Sequence, residues 1–179
     1  KLRYNIFPSY WRHELILSKR IGYKYIEFLL DDKLSRKNPL VNKKISSLKK
    51  SMIKSKQKVY SVILTYFVNH NFFKNYNKSI KILKRLIIDC QKLNINLIVI
   101  PLVENGSLNK KRLLFFLKEI YKIVKNKKIR FSIELDSKLN LKSKLNIFIK
   151  YCPKIGICYD TGNSISENKD FVKEISYLS

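Results

Sequence analysis

Short apolar runs alternate along the chain with longer segments whose apolar residues recur at helical spacing. The runs predict strands that begin near residues 24, 59, 96, 129 and 155. One intervening segment places Ile80, Leu83, Leu86 and Ile87 on a single helical face. Strands that are apolar throughout are typical of parallel sheets whose faces are covered by helices. The pattern therefore predicts an α/β fold, either a doubly wound sheet or part of a (β/α)8 TIM barrel.

The residues at the ends of the predicted strands bear on the choice between these two folds. No G-x-G-x-x-G motif follows any strand and no Walker loop is present, which makes a nucleotide-binding sheet the weaker choice. Several strands end instead on polar side chains, namely Glu27, Asn69, His70, Glu104, Glu134 and Asp160. Barrel enzymes carry their catalytic residues at strand ends, so these residues favour the barrel.

The stretch from Ile129 to Ser164 is predicted to form a strand, a helix and a strand, with helical spacing at Leu141, Leu145 and Phe148. Its first apolar run ends on Glu134 and its second on Asp160. Two neighbouring parallel strands would present both carboxylates side by side at their carboxyl ends, where sites of α/β proteins lie. Such a pair predicts either a site for a divalent cation with oxygen ligands or an acid/base pair.

The bulk composition limits the class of protein. A length of 179 residues with 45% hydrophobic and 12% aromatic residues fits one folded domain and excludes a disordered chain. The three cysteines lack metal-type spacing, no charged leader opens the chain, and no apolar run is long enough to span a bilayer. These features predict a reduced, cytoplasmic protein that does not associate with membranes.

The net charge of +25 arises from 38 lysine and arginine residues against 13 acidic residues. Such an excess is typical of proteins that bind nucleic acid or anionic membranes. Here the lysines are scattered over the polar faces of predicted helices and form no basic block interleaved with aromatic residues. The charge pattern therefore favours a solvated lysine surface over a nucleic-acid interface, and it would also attract anionic sugar phosphates.

Four segments carry a resemblance to a known family: GYKYIEF, LIVIPLVENGS, FSIELD and CYDTGNS, in this order. With them the sequence resembles the sugar phosphate isomerase/epimerase family, the xylose isomerase-like TIM barrels. The resemblance covers essentially the whole chain, from the second strand to the sixth helix of the barrel. It implies that residues 1–179 form a single, incomplete TIM-barrel domain, which is a fragment of the usual enzyme.

The resemblance also implies a divalent cation, Mn, Mg, Co or Zn, at the carboxyl end of the barrel. Glu134 and Asp160 would be its first two ligands, and the remaining His and acidic ligands would lie beyond Ser179. The reaction implied is isomerisation or epimerisation of a sugar or sugar phosphate, by proton or hydride transfer next to a carbonyl. Glu134 would also act as the catalytic base.

The same resemblance marks candidates for substrate binding, each of which has a plainer interpretation. Glu27 would otherwise pair with a lysine, His70 would be a solvated loop residue, and Glu104 would belong to an ordinary turn. Asn163 would hydrogen-bond a sugar hydroxyl. However, Asn163 and Pro101 stand where the zinc endonuclease branch of this superfamily has histidines, which lowers the case for DNA repair.

Two alternatives remain beside the isomerase. One is a nucleic-acid-binding, AP-endonuclease-IV-like barrel, which only the charge favours; the other is a non-catalytic barrel remnant. The sequence leaves open the sugar, the choice between isomerase and epimerase, the natural metal, and whether the protein is an oligomer.

Overall fold

The computed structural model describes residues 7–31, 33–103, 106–135, 146–151, 153–166 and 170–176. In these ranges five strands form one sheet: β1 (Tyr25–Leu30), β2 (Lys58–Leu64), β3 (Leu97–Leu102), β4 (Arg130–Leu135) and β5 (Ile155–Cys158). Every neighbouring pair is parallel, and the strands lie in chain order. A doubly wound sheet reverses its strand order at a switch point, whereas a barrel does not. The sequential order therefore selects the barrel.

Helices connect the strands. They are α1 (Trp11–Arg20), α2 (Ile45–Ser55), α3 (Tyr66–Asn69), α4 (Tyr76–Lys92), α5 (Lys110–Val124), a 3₁₀ turn (Ile149–Tyr151), α6 (Thr161–Ser166) and α7 (Phe171–Ser176). The predicted stripe of α4 is confirmed, since Leu83, Leu86 and Ile87 are buried. Leu141 and Leu145, which the sequence places on a further helix, lie outside the described residues. No helix in the described part of the chain is long and apolar enough to cross a membrane.

The strand register separates the sheet into two faces. One row of paired residues, which packs into the buried core beneath the helices, is Phe28, Val62, Ile98, Phe131 and Ile155. The next row lies on the opposite, concave face and contains Glu27, Ser61, Leu97 and Arg130. Because side chains alternate along a strand, the polar residues of this second row are held on the side where a barrel has its interior.

Two details of the elements differ from the sequence interpretation. Glu27 lies inside β1, not at its end, because the strand continues to Leu30. The apolar run that begins at Val59 stops being a strand at Leu64, and Tyr66 starts the short helix α3. The ring of Tyr66 is buried and stacks on His70 with ring centroids 4.2 Å apart. A short apolar run does not distinguish strand from buried helix, and here tertiary packing decides.

The turn after β3 depends on a glycine. A Cβ atom built on Gly106 would lie 1.9 Å from the carbonyl oxygen of Phe67 in α3. No side chain fits at that separation, so glycine allows the backbone after β3 to approach α3.

Candidate metal centre

The carboxyl ends of β4 and β5 bring the two predicted carboxylates to the same edge of the sheet. Glu134 is paired in register with Cys158, and Asp160 follows two residues later, beyond the end of β5. Side chains two residues apart on an extended chain point to the same side. Burial, together with the negative charges of Asp160 and then Glu27, raises the pKa of Glu134 above its ordinary value. Glu134 is therefore influenced by two other carboxylates, Asp160 at the same edge of the sheet and Glu27 from inside β1.

Asn163 connects the two central carboxylates. It lies in the first turn of α6, and its backbone N–H donates to Asp160 Oδ1 at 3.0 Å. Its side-chain Nδ2 donates to Glu134 Oε1 at 3.4 Å. The short helix thus begins on Asp160 and directs the Asn163 amide towards Glu134.

Glu27 approaches the same region from the other side of the concave face. Its Oε2 atom accepts a hydrogen bond of 2.6 Å from Ser61 Oγ on the neighbouring strand. The sequence interpretation missed Ser61, although a serine in the otherwise apolar run VYSVILT is a visible signal. The alternative for Glu27, an ion pair with a lysine, is not among the ion pairs of the described residues.

Cys158 stands between the carboxylates as a neutral, half-buried thiol. Burial, followed by the charges of Glu134, Glu27 and Asp160, raises the pKa of Cys158 to about 11. A thiol with this pKa is not an activated nucleophile at neutral pH.

A second hydrogen-bonded group supports the loop that carries Asp160. Tyr159 Oη and Ser164 Oγ donate to the same oxygen of Glu174, Oε2, at 2.6 and 2.9 Å. This contact joins α6 to α7 immediately beside Asp160. No local pattern in the sequence predicts this contact, since Tyr159 and Glu174 are separated by the α6 segment.

The remaining predicted site residues are placed differently. His70 follows α3, is half-buried and is stacked on Tyr66. No contact recorded among the described residues joins His70 to Glu134 or Asp160. Glu104 lies outside the described residues.

The donor set fits part of a site for a hard divalent cation. Carboxylate and amide oxygens suit Mg²⁺ and Mn²⁺. A cation beside Glu134 would offset both the burial and the like-charge repulsion that raise its pKa. Within the described ranges, no group of three or more His, Cys, Asp or Glu side chains is arranged to hold a metal ion. Glu134 and Asp160 would therefore need further ligands.

These observations define a parallel βα barrel segment with carboxylates gathered at its carboxyl edge. A family model described as "Xylose isomerase-like TIM barrel" matches residues 15–177, and the chain belongs to that family. A comparison with curated proteins found no significant match.

Solved structures share the fold. A xylose isomerase-like TIM barrel protein from Mycobacterium smegmatis, in complex with magnesium, is 13% identical, with a TM-score of 0.66 over 87% of this chain and 58% of that chain. A zinc-bound IOLI protein is 18% identical, with a TM-score of 0.69 over 92% of this chain and 62% of that chain. A sugar phosphate isomerase/epimerase from Parabacteroides distasonis is 14% identical, with a TM-score of 0.64 over 93% of this chain and 65% of that chain. This chain thus spans less than two thirds of the length of each of these proteins.

Proposed function

We propose that the protein is a divalent-cation-dependent isomerase or epimerase of a sugar or sugar phosphate, and that Glu134 and Asp160 are two of its metal ligands. The observation that carries the proposal is the convergence of Glu134, Asp160 and Asn163 at one edge of the sheet. Support comes from two similar folds whose structures contain magnesium and zinc, and from a third that is a sugar phosphate isomerase/epimerase. In this proposal residues 1–179 act as one domain that supplies part of the barrel.

Glu134 is the candidate base because it lies at the carboxyl edge near Asp160 and within reach of the Asn163 amide. Without a cation its pKa is raised by burial and by the charges of Asp160 and Glu27, whereas a bound cation would lower it, so the position of Glu134 carries the assignment. We assign to Glu134 the removal of a proton from the carbon next to the substrate carbonyl. Isomerisation then delivers the proton to the former carbonyl carbon, whereas epimerisation needs a second group that protonates the opposite face of the same carbon. A bound cation would supply polarisation of that carbonyl.

Two further side chains would position the substrate. The Asn163 amide, which lies 3.4 Å from Glu134 through its Nδ2 atom, can also hydrogen-bond a sugar hydroxyl. Glu27, held by Ser61, offers a second acceptor for hydroxyl groups from across the concave face. His70 and Glu104 stay predictions from the sequence.

The proposal is tested by hydrogen exchange on candidate substrates. The protein is incubated in D₂O with Mn²⁺ and a panel of aldoses, ketoses and their phosphates, and deuterium next to the carbonyl is followed by NMR and mass spectrometry. Proton transfer predicts deuterium incorporation together with the isomerised sugar, whereas a hydride shift gives the isomerised sugar without deuterium. Glu134→Gln should abolish turnover, and the control Glu14→Gln, on α1, should leave it unchanged. If no sugar of the panel shows either deuterium exchange or an isomerised product, the proposal is overturned.

The nucleic-acid alternative is favoured by one observation, the net charge of +25. Pro101, which is paired with Glu134 in register, offers no side-chain donor or metal ligand at a position where the endonuclease branch has a His. A duplex with a single abasic site is the discriminating substrate. The isomerase proposal predicts weak, strongly salt-dependent DNA binding without incision. Efficient incision would reverse the ranking, and a protein with neither activity would fit a non-catalytic remnant.

A further inference from the structure

A cavity of about 660 Å³ opens at the amino-terminal end of the strands, away from the carboxylate edge. Its lining includes the first residues of β1, β2, β3 and β4, which are Tyr25, Lys58, Leu97 and Arg130. Glu134 and Asp160 lie at the other end of the sheet, at the carboxyl ends of β4 and β5, so this cavity is separate from the candidate metal centre. Its volume falls within the roughly 300–1,000 Å³ that small-molecule sites span.

The charge around the cavity has one sign. Lys49, Lys56, Lys58 and Arg130 line it, and none of the described lining residues is acidic. A concave surface that gathers cations without acidic partners attracts anions, and phosphate groups most strongly because they accept several charge-assisted hydrogen bonds. The lining therefore indicates an anionic ligand.

Two exposed aromatic rings stand at the same cavity. Tyr25 is 44% exposed and Tyr60 is 52% exposed, and their ring centroids lie 5.5 Å apart. Tyr60 is exposed because the register between β1 and β2 shifts there: Ile26 pairs with Val59, and the next residue, Glu27, pairs with Ser61. Bulges of this kind re-aim side chains and are common beside functional sites. Exposed rings next to cations are a surface on which nucleobases stack.

Gln57 supplies the third observation. It lines the cavity and is only 2% exposed, yet neither Nε2 nor Oε1 of its side chain has a hydrogen-bond partner among the described residues. A buried amide without partners is costly and calls for an explanation. One donor and one acceptor side by side match the edge of a nucleobase, as Gln matches adenine in nucleic-acid complexes. Both atoms are themselves buried, so a ligand with such an edge would satisfy them once the Gln57 side chain rotates into the cavity.

We propose that this cavity binds a nucleotide, with its base stacked on the tyrosine pair and hydrogen-bonded by Gln57, and its phosphate held by the lysines and Arg130. The ligand is either a free nucleotide or one nucleotide of a single strand, since both present the same base and phosphate. The proposal does not depend on the isomerase activity, because the cavity is formed by other residues.

Binding of AMP and of a short oligoadenylate to the 179-residue chain tests the proposal, by calorimetry and by NMR shifts of the cavity residues. Tyr60→Leu and Gln57→Leu should each weaken binding by about tenfold or more, because one removes the stacking surface and the other the base contacts. Gln57→Leu should fold at least as stably as the parent, since it removes an unpartnered buried amide. The exposed position of Tyr60 gives a second variant that does not disturb the core.

Matched variants and inorganic phosphate distinguish attraction by charge alone from recognition of the base. Lys49→Gln with Lys58→Gln should weaken AMP binding, whereas Lys81→Gln with Lys118→Gln, an equal loss of charge outside the cavity, should not. Inorganic phosphate should bind at least about tenfold more weakly than AMP, because it offers no base to stack. A preference for AMP or for oligoadenylate, with the same dependence on Tyr60 and Gln57, supports the proposal. The preferred ligand also shows whether the cavity binds a free nucleotide or one nucleotide of a single strand. Absence of binding by both, or binding that ignores these two residues, overturns it.

Discussion

Glu134 lies directly opposite Cys158 in the register of the two last described strands. This pairing places a carboxylate and a thiol side by side on the concave face. Asp160 follows Cys158 by two residues, beyond the end of β5. Burial is the largest cause of the raised pKa of Cys158, and the negative charges of the carboxylates add to it because they oppose the formation of a thiolate. Cys158 is thus a chemical reporter of the carboxylate cluster.

The reactivity of Cys158 should show this effect. With a pKa of about 11, its alkylation by iodoacetamide at pH 8 should be roughly 100-fold slower than that of an ordinary cysteine of pKa about 8.5. The rate should rise about tenfold per pH unit between about pH 7.5 and 9.5, and Glu134→Gln should increase it several-fold because one opposing charge is removed. Peptide-resolved mass spectrometry follows Cys158 alone. Because burial is the largest cause of the raised pKa, the comparison with Glu134→Gln is the diagnostic one: an unchanged alkylation rate in that variant would show that the Glu134 carboxylate does not act on the thiol.

Asn163 should matter for turnover more than for stability. Its side chain is exposed and is the described donor to Glu134 Oε1. Asn163→Ala should change the free energy of unfolding by no more than about 0.5 kcal/mol, as surface substitutions do. The same change should lower the exchange or isomerisation rate by about tenfold, which corresponds to one hydrogen bond of about 1.4 kcal/mol. Chemical denaturation and the D₂O assay measure the two quantities. Equal rates for Asn163→Ala and the parent would show that Asn163 is not part of the site.

Two glycines offer a matched test of the fold. Gly106→Ala should destabilise the protein by about 1–3 kcal/mol, because its Cβ would collide with the Phe67 carbonyl. Gly156→Ala, in β5, meets no atom within 4 Å and should be neutral or stabilising by about 0.4–1 kcal/mol. Urea denaturation of both variants checks the difference. Equal stabilities would mean that α3 does not pack against the turn after β3.

The outer surface contains a pH-dependent contact between α4 and α5. Tyr76 Oη donates to Glu119 Oε2 at 2.5 Å and Lys122 Nζ donates to Glu119 Oε1 at 2.7 Å. The hydrogen bonds from Lys122 and Tyr76 lower the pKa of Glu119. A lowered carboxyl pKa stabilises the fold above the unfolded-state value of about 4.3 and ceases to do so as the pH falls through the folded value.

Tyr76→Phe should therefore cost about 1 kcal/mol at pH 7, and the cost should shrink below about pH 4 as Glu119 takes up a proton. Melting temperatures of the parent and the variant across this range measure the effect, with the exposed Tyr10→Phe as the control. A difference that stays constant with pH would show that Tyr76 does not donate to the ionised carboxylate.

Local patterns were sufficient to predict where the strands begin and which face of α4 is buried, because an apolar run or a helical repeat is complete within a few residues. The choice between a barrel and a doubly wound sheet required the pairing of Leu97 with Ser61 and with Arg130, residues far apart in sequence. The proximity of Glu134 to Asp160 could be predicted, since both end neighbouring parallel strands. The Ser61–Glu27 and Tyr159–Glu174 hydrogen bonds could not, because they depend on distances between elements that only the folded chain fixes.

The most direct test of the central proposal, a cation site at Glu134 and Asp160, is a Mn²⁺ titration followed by NMR. The protein as a whole repels cations through its charge of +25, so specific binding should stand out from non-specific association. The proposal predicts that paramagnetic broadening begins at the amides of Glu134, Cys158 and Asn163, and that it disappears in the variant carrying Glu134→Gln and Asp160→Asn. Broadening that starts elsewhere, or that survives both substitutions, would contradict it.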